Sequence, residues 1–165
     1  MGNTVSPENP WSYSLNLPHD PRSARIARVT LRGVMNCHDL PELLDVTEVL
    51  VSELVTNSYL YSDGPCEIRV RQVDADTVRL SIWDTNPDIP APFDTFPRGK
   101  WSKLVPSPPP PEPDPLATCG RGLLIVRLCA ENWGSWSIGE SFPGVTGKLL
   151  WCEIGRKTCP YGAAA

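Results

Sequence analysis

Glu53 and Asn57 interrupt an apolar rhythm. Leu43, Val46 and Leu50 recur at intervals of three and four, and the same count continues through positions 53, 57 and 60. Four residues apart, a glutamate and an asparagine are neighbours one turn on along a helix face. A carboxylate and an amide on a buried stripe are costly unless partnered. Two readings stand side by side. Either the helix turns slightly and the pair lies at the solvent edge or in a local network, or the stripe faces a pocket and the pair is its polar floor. An acid closes a later alternating stretch, in Trp83-Asp84-Thr85-Asn86-Pro87. An acid there is often a turn former or a cap, and it could equally accept a hydrogen bond from a ligand amino group. Further on, Gly120-Arg121-Gly122 stands directly before an apolar run. Glycine lets backbone approach a ligand, and the free N–H groups of a helix start suit an anion such as phosphate. Any junction of loop and helix can use glycine, so the triplet carries weight only in company.

The elements that must position these residues follow from periodicity. Residues 11–17 alternate large apolar with polar and predict a half-buried strand. Asp20-Pro21 supplies a cap and a first-turn proline for a helix from Pro21 to about Cys37, with Ile26, Val29 and Val34 or Leu31 turned inward. The helix that carries Glu53 and Asn57 is predicted from Leu40-Pro41 to about Tyr61, where Asp63-Gly64-Pro65 ends it. Residues 67–73 and 78–84 alternate strictly and are joined at Asp74-Ala75-Asp76 as a hairpin.

From Thr85 to Cys119 the pattern collapses, and eleven of the nineteen prolines lie there, including the run Pro108 to Pro111. Proline lacks an amide donor and fixes φ, so a long mobile loop with polyproline-II character is expected. A third helix is predicted from Gly120-Arg121-Gly122 to near Asn132, with Leu123, Ile125, Val126, Leu128 and Cys129 apolar on most sides. Strands at 133–138 and 148–154 follow, joined by a turn containing Gly139, Pro143, Gly144 and Gly147. A flexible N-terminus (1–10) and a loose tail (156–165) flank a single domain of residues 11–155, with the insertion at 85–119. This order predicts an α/β (α+β) two-layer sandwich, a mostly antiparallel mixed sheet covered on one face by about three helices.

A chain of 165 residues, 41% hydrophobic and 21% charged, is ordinary for one globular domain. Its net charge of -4 leans against a nucleic-acid surface as the main business. No apolar run approaches the roughly 18–20 residues of a membrane-spanning helix. Met1 to Pro18 lacks the basic and apolar regions of a secretory signal, so the cytoplasm is the expected compartment. The six cysteines show no C-x-x-C spacing and read as free thiols in a reducing cell. His19 and His38 are too isolated to suggest a metal cluster.

Taken in order, the pieces are specific. Glu53-Leu54-Val55-Thr56-Asn57-Ser58, Trp83-Asp84-Thr85-Asn86-Pro87, a long loop, Gly120-Arg121-Gly122-Leu123-Leu124-Ile125-Val126 and Gly147-Lys148-Leu149-Leu150-Trp151 resemble the N, G1 and G2 boxes of the histidine-kinase-like (GHKL) ATPase superfamily. The likeness covers roughly residues 20–155. It points to the short, stand-alone branch of anti-sigma regulatory factors with serine/threonine kinase activity. The resemblance implies a Bergerat-type ATP-binding fold. It implies that Asn57 holds Mg²⁺ through its amide oxygen and that Glu53, one turn earlier, is the general base on a water or protein hydroxyl. Asp84 would bind the adenine exocyclic amine. Thr146 and Lys148 would complete the far side or rim of the base pocket. Asn86, and Gly120, Arg121, Gly122 and Leu123 at the helix start, fall among the nucleotide-contacting positions. The proline-rich segment would be the ATP lid, hinged by Gly120 and Gly122.

The chain departs from the family in three ways. Tyr61 stands where relatives commonly carry a His, and Asn86 where a Gly or Ser is usual. The lid is longer and richer in proline. The implied activity is phosphotransfer from ATP to a serine of an anti-anti-sigma-type protein, with capture of a sigma factor and a homodimer as further partners. The alternative is a nucleotide-gated protein-binding module with little or no phosphotransfer. No direct nucleic-acid or membrane partner is expected. Pro108–Pro111 could also be a ligand for a polyproline-reading domain, or a low-entropy spacer.

Overall fold

The alternating stretches pair into one sheet. The computed structural model describes residues 10–94, 121–138 and 144–156. Gly120, residues 95–119 of the proline-rich insertion, residues 1–9, the tail beyond 156, and Gly139 and Pro143 of the last turn lie outside the described residues. The elements are β1 (Ser12–Leu17), α1 (Ser23–Cys37), a short 3-10 turn (Pro41–Leu43), α2 (Leu44–Tyr61), β2 (Cys66–Gln72), β3 (Thr77–Asp84), α3 (Arg121–Cys129), β4 (Asn132–Ile138) and β5 (Gly147–Gly155). The strand order is β1-β2-β3-β5-β4, and every ladder is antiparallel, so the expected mixed component is absent.

The β2–β3 hairpin turns where the acids predicted it. Val73 N–H bonds the Thr77 carbonyl at 2.9 Å, and Asp76 N–H bonds the Asp74 carboxylate at 2.9 Å. Period-two alternation then sorts the side chains. Cys66, Ile68 and Val70, with Val78, Leu80 and Ile82 and with Leu150, Cys152 and Ile154, point to one face and join one core cluster with the helices. The other face carries polar and aromatic residues, and no described helix packs on it.

Two long helices, α1 and α2, cover the inner face, and the nine-residue α3 packs along α2. The buried face of α1 is only partly the predicted one: Leu31 is buried and Val34 packs against the core, as expected, while Ile26 and Val29 are not inward. Ser23, Ala27, Leu31 and Met35 are buried, while Ile26 and Val29 are 47% and 65% exposed. Small residues at 23 and 27 let the helix come close, and Ser23 Oγ donates to the Pro18 carbonyl at 2.8 Å. The helix starts at Ser23, two residues past the predicted proline. Asp20 still serves the start, since its carboxylate accepts the Arg22 N–H at 2.7 Å. At the other end Asp39 takes a left-handed conformation (φ 53), and Leu40 N–H reaches back to the Met35 carbonyl at 3.0 Å.

In α2 the core face runs Val46, Thr47, Leu50, Val51, Leu54, Val55 and Ser58. Fully burying a leucine such as Leu50 or Leu54 stabilises by about 1.5–3 kcal/mol. The predicted continuation through 53, 57 and 60 is therefore a flank: Glu53 and Asn57 are half-buried and Leu60 is 58% exposed. Two i+3/i+4 paths lead on from Leu50, and the one with Leu54 and Val55 buries more apolar surface. Among the described residues no helix is long and apolar enough to cross a membrane.

Candidate functional site

Asp84 ends β3 on the inner face, in phase with Ile82, and is 2% exposed. Lys148, the second residue of β5, sits opposite it in the ladder and is 1% exposed. Its Nζ donates to Asp84 Oδ1 at 2.9 Å and to the Asn86 carbonyl at 3.0 Å. Asn86 N–H reaches the same Oδ1 at 3.0 Å. Removing two charges from water is costly, and the attraction at this distance with the added hydrogen bonds offsets it. Both donors use Oδ1, and among the described residues none reaches Oδ2. Gly147 makes the close packing possible: a Cβ there would collide with the Asp84 carbonyl oxygen and the Trp83 ring.

The end of α2 is tied to this corner. Asn86 Nδ2 donates to the Tyr61 carbonyl at 2.7 Å, and the Ser62 and Thr85 hydroxyls are 2.7 Å apart. Ser58 lies against Cys66 at the start of β2. Burial pushes the Cys66 thiol up, the Ser58 hydrogen bond pulls it back, and the negative charge of Asp84 adds to the rise. Asp84, Asn86, Lys148 and the last turns of α2 therefore form one cluster.

Glu53 and Asn57 lie on the flank of α2 away from α1. The α1 side is marked by Arg28 on Ser52 and Arg32 on Glu48. Asn57 comes nine residues after Glu48, half-way round the helix at about 100° per residue. α1 and α3 both pack on α2 and scarcely meet each other, so α3 belongs to the opposite flank. Among the described residues neither Glu53 nor Asn57 has a hydrogen-bond or ion-pair partner, though both are half-buried. These side chains show no local polar network among the described residues, and they stand at the half-exposed edge of the helix, a position the first of the two readings also allowed.

The remaining predicted residues fall differently. Leu123 is 4% exposed, and its side chain belongs to the core cluster. Arg121 and Gly122 open α3, Thr146 is exposed just before β5, and Gly120 lies outside the described residues. The sequence reading missed two anchors in the supposed lid. Pro92 and Phe93 are buried, with the Pro92 carbonyl accepting from Trp133 Nε1 at 3.3 Å and the Phe93 carbonyl from Ser135 Oγ at 2.8 Å. Phe93 amid prolines was the available signal. The Asp84–Lys148 pairing was also missed. Its signal was a lysine in phase with Leu150, Cys152 and Ile154 on the inward side of β5.

No group of three or more His, Cys, Asp or Glu among the described residues could hold a metal ion, so a cation here would depend on few protein ligands and on ligand oxygens. Asn57 offers an amide oxygen, Glu53 a carboxylate, and Asp84 Oδ2 an acceptor for an amino group. No protein-family model matches the chain, and no curated protein matches it.

Proposed function

We propose that this chain is an ATP-binding regulatory domain of the histidine-kinase-like type, with a Bergerat-type fold. In this reading it acts as a protein serine/threonine kinase in the manner of anti-sigma factors, on an anti-anti-sigma-like partner. The observation that carries the reading is the Glu53–Asn57 pair. Two polar side chains one turn apart, half-buried and without partners among the described residues, stand on the helix whose end is bonded to the Asp84–Asn86 corner. Neither side chain is among the buried unsatisfied polar groups of the described residues, so both remain open to a ligand that would replace water as their partner.

Asp84 Oδ2 would accept the exocyclic amine of the base, and Lys148 would fix the carboxylate in place for it. Asn57 would hold Mg²⁺ through its amide oxygen. The cation's chemistry is neutralisation of phosphate charge. Glu53 would take the proton of the attacking hydroxyl. The motif order of the sequence supports the same assignment.

The test is calorimetric binding of ATP with Mg²⁺, followed by transfer of labelled γ-phosphate to candidate protein acceptors. Wild type should bind and transfer. Asn57→Ala should lose Mg²⁺-dependent binding, and Glu53→Gln should bind without turnover. If both variants bind ATP as wild type does, the pocket assignment is wrong. If wild type binds but transfers to no acceptor, the domain is a nucleotide-gated binding module instead.

A further inference from the structure

The register lays out a groove on the outer face of the sheet. Leu149 on β5, Ser81 on β3 and Arg71 on β2 each lie one strand over and one outward row on from the last, in a straight diagonal. Leucine and serine are short, and the residues on either side of them are long. Trp83 and Arg69 stand on one bank, and Trp151 and Arg79 on the other. Trp136, opposite Leu149 on β4, stands at the head and is 69% exposed. Trp151 lies over Gly134, where a Cβ would fall 2.7 Å from the indole, and Arg79 stacks 4.3 Å from the centre of that ring. Both side chains therefore gather on the β4–β5 side and leave Ser81 as the floor. The resulting cleft is about 490 Å³, within the range of ligand sites.

We propose that this groove binds an extended acidic peptide of a partner protein, with one large apolar side chain over Leu149 and its carboxylates at Arg69 and Arg71. A side chain seated on Leu149 meets the indoles of Trp83, Trp136 and Trp151, and an aromatic-walled pocket of that kind is where interfaces place their anchors. Strands lie about 4.8 Å apart and rise about 3.3 Å per residue, so each diagonal step is roughly 8 Å and the path from Leu149 to Arg71 roughly 16 Å. An extended peptide covers that length in about five residues. The arginine side chains reach back along the path. Carboxylates three and four residues from the anchor, roughly 10–13 Å away, therefore meet them.

Charge selects the acid. Arg71 and Arg79 stand directly opposite each other on β2 and β3, and like charges so placed are destabilising. Glu153 pairs with Arg79 and also accepts from Asn132, while Arg71 meets no acidic group among the described residues. Arg69 is only loosely paired, 3.6 Å from Glu67. An anionic partner at the foot of the diagonal supplies the missing complement. Single-stranded RNA also stacks on aromatic sheets. Here a strand that follows the indole row Trp136–Leu149–Trp83 runs on to Glu67 of β2, and the chain as a whole carries -4. Asp84 and Lys148 point to the opposite face of the sheet, so this proposal and the nucleotide reading stand or fall separately.

The test titrates the full chain with the capped nonapeptide Glu-Asp-Gly-Ser-Phe-Ser-Gly-Asp-Glu while tryptophan emission is followed. Its acids lie three and four residues from the phenylalanine on both sides, so it serves either chain direction, and it has no indole of its own. Saturable binding that weakens with added salt is expected. The same peptide with Gln and Asn for its acids should bind more weakly and lose the salt dependence. Arg71→Gln removes one member of the like-charge pair, so the melting temperature should not fall, and the acidic peptide should bind several-fold more weakly. Trp136→Ala, at an exposed position, should weaken binding about tenfold or more. No saturable response, equal binding of the acidic and neutral peptides, a response unaffected by Arg71→Gln, binding of oligouridylate in place of the peptide, or a wild-type dimer that Trp136→Ala dissociates would each overturn the proposal.

Discussion

The two flanks of α2 carry similar residues in opposite circumstances. On one flank Glu48 receives Arg32 in two bonds, of 2.6 and 2.9 Å, and Ser52 accepts from Arg28 at 2.9 Å while donating to the Glu48 carbonyl. On the other, Glu53 and Asn57 are equally half-buried and meet no partner among the described residues. The first flank is how a helix fastens to its neighbour. The second has the same chemistry without a protein partner among the described residues.

The sharpest test lies where the two kinds meet. Asp84 is buried and partnered through Oδ1, while Oδ2 meets no partner among the described residues. Lys148→Met strands a buried carboxylate and should cost about 3–5 kcal/mol in urea unfolding. Adding Asp84→Asn should recover part of that, because the uncompensated charge is gone. A Lys148→Met variant as stable as wild type would mean that the pair does not hold this corner together.

Asn57→Ala separates the flanks directly. Its stability should stay within about 0.5 kcal/mol of wild type, while the nucleotide-dependent rise in melting temperature disappears. A loss of more than about 2 kcal/mol would make Asn57 a structural residue and erase the contrast. Thr47→Val is a smaller effect of opposite sign. Thr47 Oγ1 is buried on the core face and has no partner among the described residues, and removing an unsatisfied hydroxyl should stabilise by about 1 kcal/mol in the same unfolding assay.

Much of the frame was legible in the sequence because period two and period 3.6 act locally. The hairpin strands were predicted at 67–73 and 78–84 and stand at Cys66–Gln72 and Thr77–Asp84. What the sequence could not supply was azimuth. Ile26 and Val29 have the larger side chains, yet α1 docks through Ser23 and Ala27, because approach distance in a two-layer fold rewards small residues as much as large ones. The same blindness put Leu60 inward and left Leu54 unmentioned. The candidate site was legible as an ordered set of residues. Its internal bonding was not, because whether Lys148 meets Asp84 depends on the β3–β5 register, which links positions 64 residues apart. Lys148 was read as pocket lining; what the structure adds is that it is the buried counter-ion of Asp84.

The smallest effect tests the fastened flank through pH. Hydrogen bonds from Arg32 hold the Glu48 carboxyl below its ordinary value of 4.5. A carboxyl depressed in the folded state contributes stability that is present above the unfolded value and is lost as pH falls through the folded one. Arg32→Gln should therefore lower the melting temperature near neutral pH, and the gap between variant and wild type should close as pH drops below about 4.5. Asp20, drawn down to about 2 by Arg22, gives an acid-labile increment of its own, but it is common to both proteins and cancels in the difference. Because Arg32 is exposed, added salt should narrow the gap at neutral pH. A gap independent of both pH and salt would show that Arg32 acts through packing of its stem, and the ion pair would no longer explain why this flank of α2 is the fastened one.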